Sequence, residues 1–242
     1  LNMVERSPTE VSALKTIIES AFFLLIHLIF SLTLFFLKLM RLILASSSKT
    51  RKMLLNRICG NAFEVLAPEI DETPFSMEDP KNLSERLSLE KALKISELNR
   101  DAVVIGSDQV AFCDGKILEK SNNLDDAFNQ ISWQIGKQTT FFTGLALARH
   151  GGKEVQSITI TSRVFYRDSQ FVSENLVRDY VKKEKPLNCA GSTKFESLGI
   201  CFLKRVETED PSALMGLPLI TLCSFLKKWN VQPFASEINA SK

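Results

Sequence analysis

The stretch that most constrains the fold is VVIGSDQV, at residues 103–110. The four apolar residues from Ala102 to Ile105 are too few for a helix and stop at Gly106. This pattern is typical of a strand buried on both faces in a parallel or mixed sheet. We expect the strand to end there, with Asp108 just beyond it. In open α/β sheets ligands bind beyond the strand ends, where Asp108 could hold a metal or a water, but aspartate also often caps a turn. The stretch alone leaves both interpretations open.

Patterns typical of strands and of helices alternate along the chain from residue 41 onwards. Arg41 to Ala45 predicts the first strand, and residues 139–149 and 154–165 predict a hairpin. Further strands are predicted at 63–66, 116–118 and 198–206, and helices at 49–58, 83–98, 123–132, 173–183 and 218–229. We therefore predict an α/β fold with one mixed sheet flanked by helices.

The first 39 residues differ from the rest of the chain. Ser20 to Leu37 is a run of 18 residues without a formal charge, at the lower edge of the length of a membrane span. Basic residues after it would place the remainder of the chain in the cytoplasm. However, no linker separates this run from the strand predicted at Arg41, and Met40 stands where a compact domain would start. We therefore predict that residues 1–39 are an upstream extension of the reading frame, with a membrane anchor as the alternative, and that residues 40–242 form one domain.

Composition excludes several classes of function. The chain has 30 basic and 28 acidic residues, and this balance gives no indication of a nucleic-acid-binding protein. Its five scattered cysteines indicate reduced thiols and a cytoplasmic location rather than a disulfide framework. Only two histidines are present, His27 and His150, which argues against a Ser-His-Asp triad or a multi-histidine metal site. Carboxylates, lysines and arginines must therefore carry the chemistry.

A candidate anion site precedes the helix predicted at residues 49–58. Three serines, ending at Ser48, are followed by Lys49 and Arg51. The free N–H groups and the dipole of a helix N-terminus favour phosphate, and an arginine can bind it through two parallel hydrogen bonds. Ser48 is also a good N-cap residue, and both roles can hold at once.

An acidic segment with carboxylates at Glu69, Asp71 and Glu72 lies between two prolines after the strand predicted at 63–66. Such carboxylates could bind Mg²⁺, which prefers a few carboxylates together with substrate oxygens. An acidic loop of this kind is more often simply solvated, so the segment leaves the question open.

Six motifs in sequence order resemble one known family, the Maf-like nucleoside triphosphate pyrophosphatases. They are LILASSSKTR (42–51), APEIDETP (67–74), IGSDQV (105–110), TGLAL (143–147), CAGS (189–192) and MGLPLITLC (215–223). The resemblance covers about residues 40–234. It implies an elongated α/β fold of two lobes with the active-site cleft between them. It also implies hydrolysis of a nucleoside triphosphate to the monophosphate and pyrophosphate with a divalent metal, Mg²⁺ or Mn²⁺, and it leaves a homodimer open.

The resemblance assigns roles to the residues that match the motifs. Asp108 corresponds to the proposed general base and, with Glu72, to the carboxylates for the metal. The resemblance also implies a phosphate-binding set. It comprises Ser48 and Arg51 in the first motif, and two lysines outside the six motifs, Lys91 on a predicted helix and Lys120 after a predicted strand.

The resemblance implies that substrate choice depends on Thr50, Gln109 and Glu196. Gln109 and Glu196 match the branch of the family that hydrolyses 7-methyl-GTP. Thr50 stands where that branch often has tryptophan, and Ser197 stands where glycine is usual. We expect 7-methyl-GTP as the substrate, with a dTTP/UTP pyrophosphatase or a nucleotide-binding regulator of cell division as alternatives. The presence of Asp108 and of the phosphate-binding residues argues against the regulator.

Overall fold

The computed structural model describes residues 20–28 and 41–232. The chain separates into two units, Leu1–Met40 and Arg41–Lys242. In the first unit, residues 20–28 form a helix whose side chains are exposed. Across the two described ranges, no helix combines the length and the apolar character needed to cross a membrane. Most of the predicted extension at residues 1–39 lies outside the described residues, and its origin stays a prediction.

The second unit is built on one mixed sheet of seven strands. The strands are β1 (Arg41–Ala45), β2 (Glu64–Leu66), β3 (Ala102–Cys113), β4 (Lys116–Leu118), β5 (Gln138–Arg149), β6 (Glu154–Tyr166) and β7 (Leu203–Glu207). They lie in the order β2-β1-β3-β5-β6-β7, with β4 paired to the second half of β3. Strand β1 runs parallel to β2 and β3, and the other pairs are antiparallel. The predicted α/β class is therefore confirmed.

Within residues 41–232, five α-helices begin at side-chain caps or at proline. Asp79 accepts hydrogen bonds from two N–H groups at the start of the helix Pro80–Leu98, Ser173 caps the helix Glu174–Glu184, and Pro218 precedes the helix Leu219–Lys228. The helices are α1 (Lys49–Cys59), α2 (Pro80–Leu98), α3 (Leu124–Gln134), α4 (Glu174–Glu184) and α5 (Leu219–Lys228), and the 3-10 turns are Ala190–Ser192, Leu198–Phe202 and Pro211–Met215.

The strand predicted at residues 198–206 was wrong in its first half. Residues Leu198–Phe202 form a 3-10 turn, and the strand begins only at Leu203. The Gly199 backbone lies so close to the Lys194 carbonyl that a Cβ there would be 2.5 Å from its oxygen. This tight local packing holds the segment in a turn in spite of its apolar sequence.

Strand β3 also differs from the prediction, because it does not end at Gly106. Its parallel neighbour β1 ends opposite Gly106, but its antiparallel neighbour β5 pairs with it as far as Cys113, with Asp108 opposite Gly144. Asp108 therefore lies inside a strand, just past the end of β1. This position excludes the interpretation in which Asp108 caps a turn.

Two glycines allow α2 to lie unusually close to the sheet. A Cβ at Gly106 in β3 would be 2.2 Å from the Ser88 carbonyl oxygen, and one at Gly144 in β5 would be 2.2 Å from that of Ser84. Both distances are far below van der Waals contact, so only glycine fits at these positions. The close approach sets the distance from α2 to β3, and therefore the reach of any side chain that α2 directs at that strand.

The buried apolar residues form two main clusters, one at each end of β3. The first includes Ile43, Val104 and Ala146, and the second includes Ala111 and Phe141. The polar residues 107–109 separate these ends of the strand. The sheet thus holds polar side chains rigidly between two apolar regions.

Candidate active site

A lysine between two carboxylates forms the centre of the site. Lys91 on α2 donates to Asp108 on β3, with Nζ 2.6 Å from Oδ1, and lies 2.7 Å from Oε1 of Glu72. Lys91 is 5% exposed and Asp108 is 8% exposed. Glu72 belongs to the segment between β2 and α2, and 47% of its side chain is exposed. Three of the residues predicted from the sequence therefore meet in one ion-pair group.

The cations around Glu72 determine its protonation. Burial by itself would raise the pKa of Glu72, but the hydrogen bond from Lys91 and the charges of Lys91, Lys120 and Arg51 lower it. Glu72 is therefore ionised at neutral pH. As a carboxylate it keeps the Lys91 ammonium group between two negative charges.

Arg51 lies beside this group, in the first turn of α1. Ser48 caps that helix by accepting the Arg51 N–H at 3.3 Å, so the predicted cap is confirmed. The Arg51 guanidinium donates through Nε to the Gly216 carbonyl at 2.7 Å. Burial lowers the pKa of Arg51, and the negative charges of Asp108 and Glu72 oppose this shift. A desolvated guanidinium so close to the ion-pair group is well placed to bind an anion.

The Gly216 carbonyl has a second partner. The Ser107 hydroxyl lies 2.8 Å from the Gly216 oxygen and 2.7 Å from the Gly144 oxygen, and it can donate to either. The backbone at Gly216 is thus tied to β3 by a side chain and to α1 by Arg51. No role was predicted for Ser107 or Gly216 from the sequence. The signals for them were a serine directly after the apolar run of a predicted buried strand and the MGLP residues of the last motif.

Gln109, which was predicted to determine specificity, binds the turn Pro211–Met215, which directly precedes Gly216. Its amide nitrogen lies 2.9 Å from the Ala213 oxygen, 3.2 Å from the Leu214 oxygen and 3.1 Å from the Thr143 hydroxyl. Thr143 also donates to the Ala213 carbonyl at 3.0 Å. The amide N–H groups of Gln109 are therefore used within the protein, and its carbonyl oxygen is the atom left for a ligand. Thr143 is a further residue that sequence analysis missed.

Lys120 stands at the solvent side of the site. Its side chain is 65% exposed, and its Nζ lies 4.0 Å from Oε2 of Glu72. It also lines a polar pocket of about 360 Å³, together with Ser121, Asp126 and Gln130. An exposed lysine at the mouth of the site can reach a charged ligand from outside.

Two predicted specificity residues, Glu196 and Thr50, are not members of the ion-pair group. Glu196 is in an exposed turn. Burial raises the pKa of both Tyr180 and Cys189, and the charge of Glu196 adds to that effect, which places Glu196 near these two side chains. No contact within residues 41–232 joins it to Lys91. Thr50 is partly exposed and directly precedes Arg51 in α1.

The two carboxylates set limits on how a metal could bind. Among residues 20–28 and 41–232, no three His, Cys, Asp or Glu side chains are grouped to hold a metal ion. Glu72 and Asp108 nevertheless face one common point, where the Lys91 nitrogen lies. Mg²⁺ is often held by one or two carboxylates plus water and phosphate oxygens, and these two residues fit that kind of site.

Comparison with known proteins agrees with the motifs. The family described as Maf-like protein matches residues 41–229. The chain is 40% identical over 195 residues to the 7-methyl-GTP pyrophosphatase of Pseudoalteromonas atlantica, covering 81% of this chain and 98% of the relative. It is 42% identical over 196 residues to the 7-methyl-GTP pyrophosphatase of Cupriavidus pinatubonensis, covering 81% of this chain and 96% of the relative.

Proposed function

Since this chain belongs to the Maf-like protein family, we propose that it is a nucleoside triphosphate pyrophosphatase whose preferred substrate is 7-methyl-GTP. The names of the two relatives support this substrate. The observation that carries the proposal is the group formed by Glu72, Lys91 and Asp108, with the buried Arg51 beside it. Scattered cysteines and the absence of a nucleic-acid-binding charge pattern favour a cytoplasmic enzyme that acts on free nucleotides.

Three cationic side chains from three different parts of the chain are available to bind the triphosphate. Arg51 is on α1, Lys91 is on α2, and Lys120 follows β4. Because Arg51 binds Gly216 through Nε, its two terminal nitrogens can face a phosphate in a bidentate arrangement. Cleavage between the α- and β-phosphates depends mainly on positioning and on neutralising charge, which this set of cations supplies.

Asp108 is the proposed general base. A water would attack the α-phosphorus while its proton passes to a carboxylate oxygen of Asp108. The bond from the α-phosphorus to the bridging oxygen breaks, and pyrophosphate leaves with the electron pair. In the free protein Lys91 donates to Oδ1 of Asp108. Phosphate oxygens that attract Lys91 would therefore free an Asp108 oxygen for the water.

The proposal includes a divalent cation, Mg²⁺ or Mn²⁺, held by Glu72 and Asp108. Such an ion neutralises phosphate charge and lowers the pKa of a bound water. The support is that the two carboxylates lie on either side of one cation, the Lys91 ammonium group. The phosphate oxygens would have to draw Lys91 away before a metal ion could take its place.

Base selection is assigned to Glu196, with Gln109 and Thr50 as secondary contributors. A carboxylate accepts hydrogen bonds from the N–H groups of a guanine edge, and a cationic 7-methylguanine adds charge attraction. Because Glu196 is separate from the ion-pair group, changing it should alter base preference more than phosphate binding. Thr50 offers no aromatic ring for stacking, which should weaken affinity by about 1–3 kcal/mol relative to a tryptophan at that position.

The test is the release of pyrophosphate from a panel of nucleotides with Mg²⁺ or Mn²⁺. We expect 7-methyl-GTP to give a higher kcat/KM than GTP, dTTP or UTP, and no turnover after chelation of the metal. Preferred hydrolysis of dTTP or UTP would overturn the substrate assignment but keep the reaction. Nucleotide binding without turnover would instead favour a regulatory role.

A further inference from the structure

The segment that carries Glu72 is not held in place by burial alone. It connects β2 to α2, and its tip exposes Phe75 and Met77, the latter to 99%. Ile70 anchors the first part by packing against the apolar cluster around Leu83. The part after Glu72 needs another anchor, since the ion pairs of a half-exposed carboxylate with Lys91 and Lys120 contribute little positional restraint.

Arg86 supplies contacts to that second part. It lies on α2, five residues before Lys91, and donates from Nη2 to the Thr73 carbonyl at 3.1 Å. Its guanidinium also makes two hydrogen bonds to the Glu78 carboxylate, each 2.8 Å long. It lies 4.0 Å from the centre of the Phe75 ring. The side chain of Arg86 therefore binds the residue directly after Glu72.

Glu78 extends the same arrangement to a second point of the backbone. Its Oε2 accepts the Phe75 N–H at 3.0 Å while both of its oxygens accept from Arg86. The hydrogen bonds from Arg86 lower the pKa of Glu78, which keeps the pair ionised. Only 17% of the Arg86 side chain and 9% of the Glu78 side chain are exposed, so solvent weakens the pair less than it would at the surface.

We infer that Arg86 is a positioning residue that, together with Glu78, holds the Glu72 carboxylate against Lys91. The inference rests on the proposed function, because Glu72 matters only if the ion-pair group is the active site. The planar guanidinium is needed because it binds a carboxylate with two nitrogens and the Thr73 carbonyl at once, which an ammonium group cannot do. A purely structural role is the alternative, since Arg86 also pairs with Glu90 one turn along α2 at 3.2 Å.

The first experiment measures the order of the segment without any substrate. Chymotrypsin cleaves after exposed aromatic residues, so cleavage after Phe75 reports how freely the segment moves. We expect cleavage to be at least about 10-fold faster in Arg86→Ala and in Glu78→Gln than in the unaltered protein, because local opening becomes easier. Arg178→Ala is the matched control, since it removes an ion pair with Glu174 and a ring contact with Phe128 elsewhere. Unchanged cleavage in both test variants would overturn the inference.

The second experiment measures turnover of 7-methyl-GTP. We expect Arg86→Ala to lower kcat/KM by about 10- to 100-fold, the effect of misplacing a group in an active site by about 1 Å. Arg86→Lys should recover only part of this loss, and Arg178→Ala should keep full activity. In a protein that already carries Glu72→Gln, Arg86→Ala should lower kcat/KM by less than about 3-fold. The reason is that the effects of substitutions at two coupled residues are not additive.

A full loss in both backgrounds would show that Arg86 stabilises the fold without acting through Glu72. If Arg86→Ala does not fold, Arg86→Lys and Glu78→Gln provide the same comparison. If no nucleoside triphosphate is hydrolysed by any variant, the proposed function fails, while the cleavage experiment still decides whether Arg86 orders the segment.

Discussion

The close packing of α2 on the sheet can be tested with Gly144→Ala. A Cβ at Gly144 would be 2.2 Å from the Ser84 carbonyl oxygen and 2.7 Å from the Ser88 hydroxyl, whereas ordinary contact begins at 3.4 Å. The Ser84 oxygen belongs to the helix backbone and cannot rotate away. The helix must therefore move outward by about 1 Å, because packed interiors have little free volume.

Gly144→Ala should have two effects, one on stability and one on turnover. Inserting one methyl group into a packed core costs about 1–3 kcal/mol, which lowers Tm by about 2–12 °C in a domain of this size. Moving α2 also moves Lys91 away from Asp108, which it now contacts at 2.6 Å. A displacement of about 1 Å in an active site can reduce kcat by up to 10²-fold. Thermal unfolding and pyrophosphate release measure the two effects separately.

Gly115→Ala is the control for this substitution. Gly115 has φ +81°, but an added Cβ there meets nothing within 4 Å. The control therefore introduces backbone strain of about 1–2 kcal/mol without moving α2. It should lose stability and keep its turnover. Equal turnover by Gly144→Ala and the unaltered protein would refute the argument that the glycine contact positions Lys91.

Further predictions concern four individual side chains. Asp108→Asn should fold and bind nucleotide but lose about 10²-fold or more in kcat, the effect of a missing general base, and near-normal turnover would contradict its role. Arg51→Ala should weaken hydrolysis of all triphosphates alike, whereas Glu196→Gln should mainly reduce the preference for 7-methyl-GTP, and a nucleotide panel separates the two. Burial raises the pKa of Glu72, but the hydrogen bond and charge of Lys91 help to lower it overall. As pH falls, Glu72 in the unfolded chain therefore takes up a proton before Glu72 in the folded protein does. The stability that Glu72 contributes should therefore be complete above its ordinary pKa of 4.5 and be lost at lower pH, and Glu72→Gln should flatten the pH dependence of Tm in that range.

Local patterns were sufficient to predict most of the fold. The apolar run of β1, the Ser48 cap of α1 and the turn between β5 and β6 each depend on neighbouring residues, and the structure has them where the sequence indicates. The end of β3 was not predictable in this way. Residues 107–113 are extended because β5, from a distant part of the chain, pairs with them. The polar residues 107–109 interrupt the apolar pattern, and the local sequence does not reveal such a partner.

The same distinction applies to the site. Asp108, Glu72 and Arg51 carry ionisable side chains in the motifs, Lys91 lies on a predicted helix, and the structure brings the four residues together. The contribution of Gly216 is a backbone carbonyl, whose chemistry is the same at every position of a chain. Its importance follows only from its contacts with Arg51 and Ser107.

The contacts of the turn that precedes Gly216 show which part of the site is rigid. Asp210 is almost fully buried, and its carboxylate accepts from the backbone and hydroxyl of Ser212 and from the Thr221 N–H. These bonds join the turn Pro211–Met215 to the start of α5. Side chains from β3 and β5 bind the Ala213 carbonyl in this turn, and Ser107 on β3 binds the Gly216 carbonyl directly after it. Arg51 and Asp108 are therefore attached to a fixed frame. Glu72 is half exposed and lies on a segment held mainly by side chains of α2, so rearrangement on substrate binding should occur at Glu72 rather than at Asp108.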